Sequence, residues 1–135
     1  MRGADGGPWR RICALPALWV GLMYDDGVLD QAHEMIRDWS AEEREALRND
    51  VPAGGLETRF RNGRVLDLAK EMLALSREGL KRRARVNDGG QDERVHLAAV
   101  EETLASGLSP ADVMLRRYAG EWGGNLAHAF KDYAY

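Results

Sequence analysis

Apolar residues recur at helical spacing along most of this chain, and the first such run is the densest. Ile12 to Tyr24 is thirteen residues long and carries no charge. Ile12, Ala14, Leu15, Leu18, Trp19, Val20, Leu22 and Met23 cover nearly the whole circumference of a helix that opens at Pro8, a residue suited to a first helical position. A helix apolar on all sides is a central one, so partners are expected on every side. Pro16 is expected to kink or split it, because proline removes an internal hydrogen bond.

The pattern then predicts a second helix over 27–39, with Val28, Leu29, Ala32, Met35 and Ile36 on one face and Trp39 at its end. Ser40-Ala41-Glu42-Glu43 has capping-box spacing and opens a third helix, expected to end before Pro52. Residues 52–63 read as a glycine-rich loop with extended character, closing in Asn62-Gly63. Val65, Leu66, Leu68, Ala69, Met72, Leu73, Leu75 and Leu80 mark a long helix over 64–84. Asn87-Asp88-Gly89-Gly90 interrupts the chain, and Val95 to Leu108 suggests another helix. Ser109-Pro110 supplies a cap and a first-turn proline for the next, which runs to about Ala119. Gly120, Gly123 and Gly124 break the chain before a short last helix. The fold class is mostly α: six or seven helices, with residues 1–7 as a strand end and glycine-rich loop and 8–135 helical, in a single segment.

Composition narrows the function classes. Of 135 residues, 44% are hydrophobic and 30% charged, which argues against disorder, and the net charge of −3 argues against general nucleic-acid binding. The basic run Lys81, Arg82, Arg83 and Arg85 lies at a helix end, where it complements the helix dipole, and no aromatic residues interleave to stack bases. Cys13 is the single cysteine; in its apolar surroundings a buried, unreactive thiol is expected. No small-residue cleavage site follows Arg10 and Arg11, and the apolar run is shorter than the roughly 20 residues that span a bilayer. These readings give an expectation of a cytoplasmic, reducing setting without a membrane partner. His33, His96 and His128 lack metal-ligand spacing, so no metal site is expected. Trp122, between glycine breaks, is expected to pack into a core.

The candidate chemistry gathers at the opening, Met1-Arg2-Gly3-Ala4-Asp5-Gly6-Gly7-Pro8-Trp9-Arg10-Arg11. Arginine offers a rigid fork of donors for carboxylate or phosphate, and N–H groups at a helix start add to anion binding. Arg2 leads this constellation, with Asp5, Arg10 and Arg11 in weaker supporting roles. Two cations in a first turn oppose the helix dipole, so an anionic neighbour would relieve them. Spacing alone also fits a plainer reading, in which Arg2 pairs with a carboxylate and the glycines form a tight turn.

The same residues carry a resemblance. Met1 to Asp25 resembles the segment that opens the C-terminal part of glutamate–cysteine ligase, in the form shared by plants and many bacteria. Asp38-Trp39-Ser40 with Glu42-Glu43-Arg44-Glu45, then Val51-Pro52, Gly55-Leu56 and Phe60-Arg61-Asn62-Gly63 continue it. Gly79-Leu80 with Arg82-Arg83, Ser109-Pro110-Ala111 and Gly120-Glu121-Trp122-Gly123 follow in order, so the resemblance covers essentially the whole chain. It implies the helical C-terminal portion of a glutamine-synthetase-like α+β fold. It implies an enzyme that uses ATP and Mg²⁺ to join the γ-carboxyl of glutamate to the amine of cysteine through an acyl phosphate, in the first step of glutathione synthesis. It matches Arg2 to the arginine of an acid-x-arginine element and so to glutamate or transferred-phosphate binding; no catalytic residue is assigned. The acidic partner of that element falls just before Met1, so Met1 is expected to be an internal position of a longer ligase. Asn125-Leu126-Ala127-His128-Ala129-Phe130 departs from the family's usual serine-valine-aspartate-proline pattern, whereas Asp132 to Tyr135 resembles a family terminus. The missing N-terminal portion is the implied partner, and the chain alone is expected neither to bind ATP and Mg²⁺ tightly nor to make product. The alternative is a stand-alone helical interaction module derived from the ligase.

Overall fold

The computed structural model describes residues 7–133. It is helical almost throughout: α1 (Trp9–Met23), α2 (Asp26–Ile36), α3 (Ala41–Gly54), α4 (Val65–Arg83), α5 (Ala98–Ser106), α6 (Pro110–Ala119) and α7 (Ala127–Asp132). Short 3₁₀ turns at Gly55–Glu57 and Glu93–Leu97 link them. The sheet among the described residues is one antiparallel hairpin, β1 (Arg59–Phe60) and β2 (Gly63–Arg64), with Phe60 opposite Gly63. It arises inside the stretch expected to be extended loop, at the Asn62-Gly63 signal. The strand end expected at the amino terminus falls on residues 1–6, outside the described residues.

The caps sit where the sequence places them. The Ser40 hydroxyl accepts from the Glu43 N–H at 3.1 Å, and the Glu43 carboxylate accepts from the Ser40 N–H at 2.9 Å. Ser109 and Asp112 repeat the arrangement at 3.1 and 2.8 Å. Two proline expectations need correction. α3 does not stop before Pro52 but continues to Gly54, ending where Gly55 takes φ 54° and its N–H returns to the Val51 carbonyl. A proline this close to a helix end forfeits one bond of a turn that is ending anyway. Of the kink or split expected at Pro16, the split does not occur: α1 is continuous from Trp9 to Met23. Its ring lies on the exposed side, where the unpaired carbonyl can tilt outward.

α1 packs most extensively against α4, then against the Glu93–Leu97 turn, α2 and α5. Ala17, Leu80 and Leu97 form the buried centre, with Leu18, Val20 and Leu73 packed around it. The α1–α4 crossing is a backbone contact. A Cβ placed on Gly79 would fall 1.8 Å from the Gly21 carbonyl oxygen, and one on Gly21 would fall 2.3 Å from both Ser76 oxygens. Ser76 is fully buried, and its hydroxyl donates to the Leu18 carbonyl at 2.9 Å, tying the two helices where they are closest. α1 is thus central on one side only: Ala14, Ala17, Gly21 and Leu22 are buried, while Trp9, Ile12, Trp19 and Met23 are exposed.

A second fixed point holds the hairpin. Arg61 takes φ 49°, a left-handed conformation that a side-chain-bearing residue adopts at a cost. Its guanidinium grips Glu43 through two bonds of 2.7 Å and reaches the Asp38 carboxylate at 2.9 Å and the Asp38 carbonyl at 3.0 Å. Trp39 closes the same corner edge-on to Phe60, with ring centroids 4.7 Å apart. The Arg61 bonds, with the Ser40 N–H, hold the Glu43 carboxyl well below the usual carboxylate range, at about 2. A carboxylate depressed in the folded state adds stability above its unfolded value of 4.5, and that stability is lost as pH falls toward 2. Glu43→Gln should therefore lower the melting temperature at neutral pH, and the gap from the unsubstituted chain should close as the pH is taken below 4.5. Thermal melts followed by circular dichroism across that range check it; a gap independent of pH would contradict the assignment.

Candidate functional site

The site suggested by the sequence lies at the mouth of α1. Arg2 and Asp5 lie outside the described residues; Arg10 and Arg11 are within them. Pro8 precedes the helix with φ −52° and ψ 148°, and its carbonyl accepts from the Arg11 N–H at 2.7 Å and the Ile12 N–H at 3.2 Å. A proline side chain has no acceptor, so it cannot cap the first-turn N–H groups, and the first turn contains no acidic residue. Among the described residues, the positive end of the α1 dipole therefore carries two arginines and no first-turn carboxylate, an arrangement that favours an approaching anion.

The two arginines differ in availability. Arg10 forms an ion pair with Glu102 on α5, and both side chains are more than half exposed. Arg11 makes no ion pair among the described residues. It stands half-buried at the rim of a cleft of about 260 Å³ between α1 and α5, floored by Leu15, Leu18 and Val100. Of the pair, only Arg10 is held by an ion pair among the described residues.

The remaining candidates resolve into structure. In the basic run, Arg82 bonds Glu78 at 2.8 Å and Asp25, the N-cap of α2, at 3.2 Å. Arg83 bonds Glu93 at 2.8 Å and lies over the Tyr24 ring. These cations join the end of α4 to α2 and to the Glu93–Leu97 turn, beyond the dipole role read from sequence. Trp122 is 4% exposed, packed between His128 and Tyr133 with the Arg117 guanidinium 4.8 Å from its ring centre. The expectation of packing at Trp122 thus holds. Cys13 is half-buried rather than buried, beside Pro16 and His96 at the edge of a shallow cleft, because the face of α1 it occupies lies next to the uncovered one. Among the described residues, no group of three or more His, Cys, Asp or Glu side chains is arranged to hold a metal ion.

The sequence model of glutamate–cysteine ligase family 2 (GCS2) matches residues 1–132. The chloroplastic glutamate–cysteine ligases of Solanum lycopersicum and Arabidopsis thaliana are each 47% identical to this chain over 135 residues. That alignment takes in 100% of the chain and 25% of each relative. The chloroplastic glutamate–cysteine ligase A of Oryza sativa subsp. indica is 48% identical over the same 135 residues, which are 26% of its length. The chain spans about a quarter of the curated relatives it matches. Their names also correct the cytoplasmic setting expected above, since these relatives are chloroplastic. A single cysteine speaks to redox conditions and cannot separate one reducing compartment from another.

Proposed function

Because the chain belongs to glutamate–cysteine ligase family 2, we propose that it acts as the C-terminal portion of an ATP-dependent enzyme that joins the γ-carboxyl of glutamate to the amine of cysteine, the first step of glutathione synthesis. The observation that carries this reading is identity of 47% sustained over all 135 residues but only a quarter of the relative. In the proposed reaction a γ-carboxylate oxygen of glutamate takes the terminal phosphoryl group of ATP, releasing ADP. The cysteine amine then attacks the acyl carbon, phosphate leaves, and the amine gives up its proton.

No group of three or more metal-ligating side chains lies among the described residues, and no step is assigned here through a metal. What this segment contributes is positive charge at the mouth of α1. Arg2, matched by resemblance to a substrate-reaching arginine, is proposed to hold the glutamate carboxylate or the transferred phosphoryl group. Arg11 and the α1 dipole add positive charge at the mouth of the helix, where oriented cations stabilise developing negative charge. Arg10, already engaged by Glu102, and Asp5 are assigned supporting roles.

The chain incubated with glutamate, cysteine, ATP and Mg²⁺ should make no dipeptide. A chimera in which it replaces the matching quarter of the Solanum lycopersicum relative should make it in an ATP-dependent manner. Robust synthesis by the chain alone would overturn the assignment as a portion of an active site. A folded but inactive chimera would favour a second reading, a stand-alone helical interaction module, for which the uncovered side of α1 speaks.

A further inference from the structure

The exposed residues of α1 are not scattered. Trp9, Ile12, Pro16, Trp19 and Met23 recur at steps of three, four, three and four, which brings them onto one line along the helix. They are apolar without exception, and Trp9, Ile12, Trp19 and Met23 are 75%, 42%, 41% and 51% exposed. At 1.5 Å per residue the stripe is about 21 Å long. Half-buried Cys13, Leu15 and Val20 flank it, and Arg10 and Arg11 project elsewhere on the helix. This is the spacing of a seam by which one helix packs on another apolar surface. The opposite side of α1 is already occupied by α4 and α5. The other exposed apolar residues that recur at helical spacing form shorter sets, Met114, Leu115 and Tyr118 on α6 and Leu126 and Phe130 at α7.

We propose that this stripe is the surface on which the rest of the ligase seats, its occupant being an apolar face of the polypeptide that the curated relatives carry outside the matched quarter. The inference rests on the ligase reading above and adds the place of contact. Three observations select that occupant. The relatives are about four times as long as this chain, so most of the ligase must meet this quarter somewhere. The stripe is uncharged throughout, which suits a permanent interior contact better than a reversible one. It also begins at Trp9, in the first turn of α1 beside Arg10 and Arg11, so seating along it would bring the mouth of α1 to the rest of the ligase. No helix of the described chain is long and apolar enough to cross a membrane.

Hydroxyl-radical labelling read by mass spectrometry tests this on the chain alone and on the Solanum lycopersicum chimera. Trp9, Trp19 and Met23 should be labelled several-fold less in the chimera than in the chain alone. Trp19→Lys should raise the solubility of the isolated chain and lower the soluble yield of the chimera. Equal labelling in both would overturn the proposal. So would protection that appears only as the isolated chain is concentrated, which indicates a second copy, or only with phosphatidylcholine–phosphatidylglycerol vesicles, which indicates a lipid surface. Dipeptide synthesis by the same chimera is scored separately. An active chimera with an unprotected stripe removes this inference and leaves the ligase reading; an inactive chimera with a protected stripe keeps the place of contact and removes the catalytic role assigned to this segment.

Discussion

Gly79→Ala should markedly lower the melting temperature of the helical core, although alanine is the better helix former. Propensity alone predicts a gain of about 1 kcal/mol for this change in a helix interior. The added methyl would sit 1.8 Å from the Gly21 carbonyl oxygen, which is backbone of α1 and has no rotamer by which to escape. Relief requires α1 and α4 to move apart, and that contact is the most extensive in the chain. Overpacking of this kind costs about 1–3 kcal/mol and sometimes more, a large share of the roughly 5–15 kcal/mol that holds a domain folded. Separating the helices would also stretch the Ser76–Leu18 bond of 2.9 Å and uncover the cluster of Ala17, Leu80 and Leu97. Gly21→Ala should behave similarly, since its methyl meets Ser76 at 2.3 Å. Gly27→Ala is the contrasting case: its nearest neighbours are side-chain atoms, the end of Arg82 at 3.1 Å and the Asp25 carboxylate at 3.4 Å, which can shift by a few tenths of an ångström, so it should change stability little. Thermal melts of the three variants by circular dichroism decide the matter. A higher melting temperature for Gly79→Ala would mean that the backbones do not touch there.

Features set by short-range chemistry were legible in the sequence. Ser40 and Ser109 announce α3 and α6 because a cap needs only a hydroxyl and an acid three residues on, and the period of Val65 to Leu80 gives α4 to within a residue or so. Features set by distant pairs were not. Ser76 and Gly79 look like weak helix formers until α1 lies across them. Arg61 sits in a stretch without periodicity, and its partners Asp38 and Glu43 are 23 and 18 residues away. The same limit applies to the site. Arg10 and Arg11 are equivalent as adjacent cations in one first turn, and the position of Glu102, 92 residues on from Arg10, distinguishes the two guanidinium groups among the described residues. The apolar run of α1 read as a helix buried on all sides because hydrophobicity records the need for partners, not which of them the chain itself supplies.

In the ligase chimera, Arg2→Ala should lower kcat/KM on the order of 10²–10³-fold, the loss expected when one preorganised donor to developing charge is removed. Arg2→Lys should restore only part of it, because an ammonium keeps the charge but not the two parallel donors that a carboxylate or phosphoryl group can accept. The neighbouring arginines supply the internal scale. Arg11, without an ion pair among the described residues and at the rim of the α1–α5 cleft, should show a smaller loss on substitution by alanine. Arg10 should show the least, since its guanidinium is committed to Glu102 in a half-exposed pair of small energetic weight. The order Arg2, Arg11, Arg10 is the discriminating result, because a merely local electrostatic field would make the three similar. Unchanged helical content in each variant separates lost chemistry from lost structure. A KM for glutamate that rises with kcat preserved would place Arg2 on the bound carboxylate, whereas a fall in kcat at constant KM would place it on the phosphoryl group in transit. If Arg2→Ala retains activity within a few-fold of the unsubstituted chimera, the charge at the opening of this chain serves the fold and not the reaction.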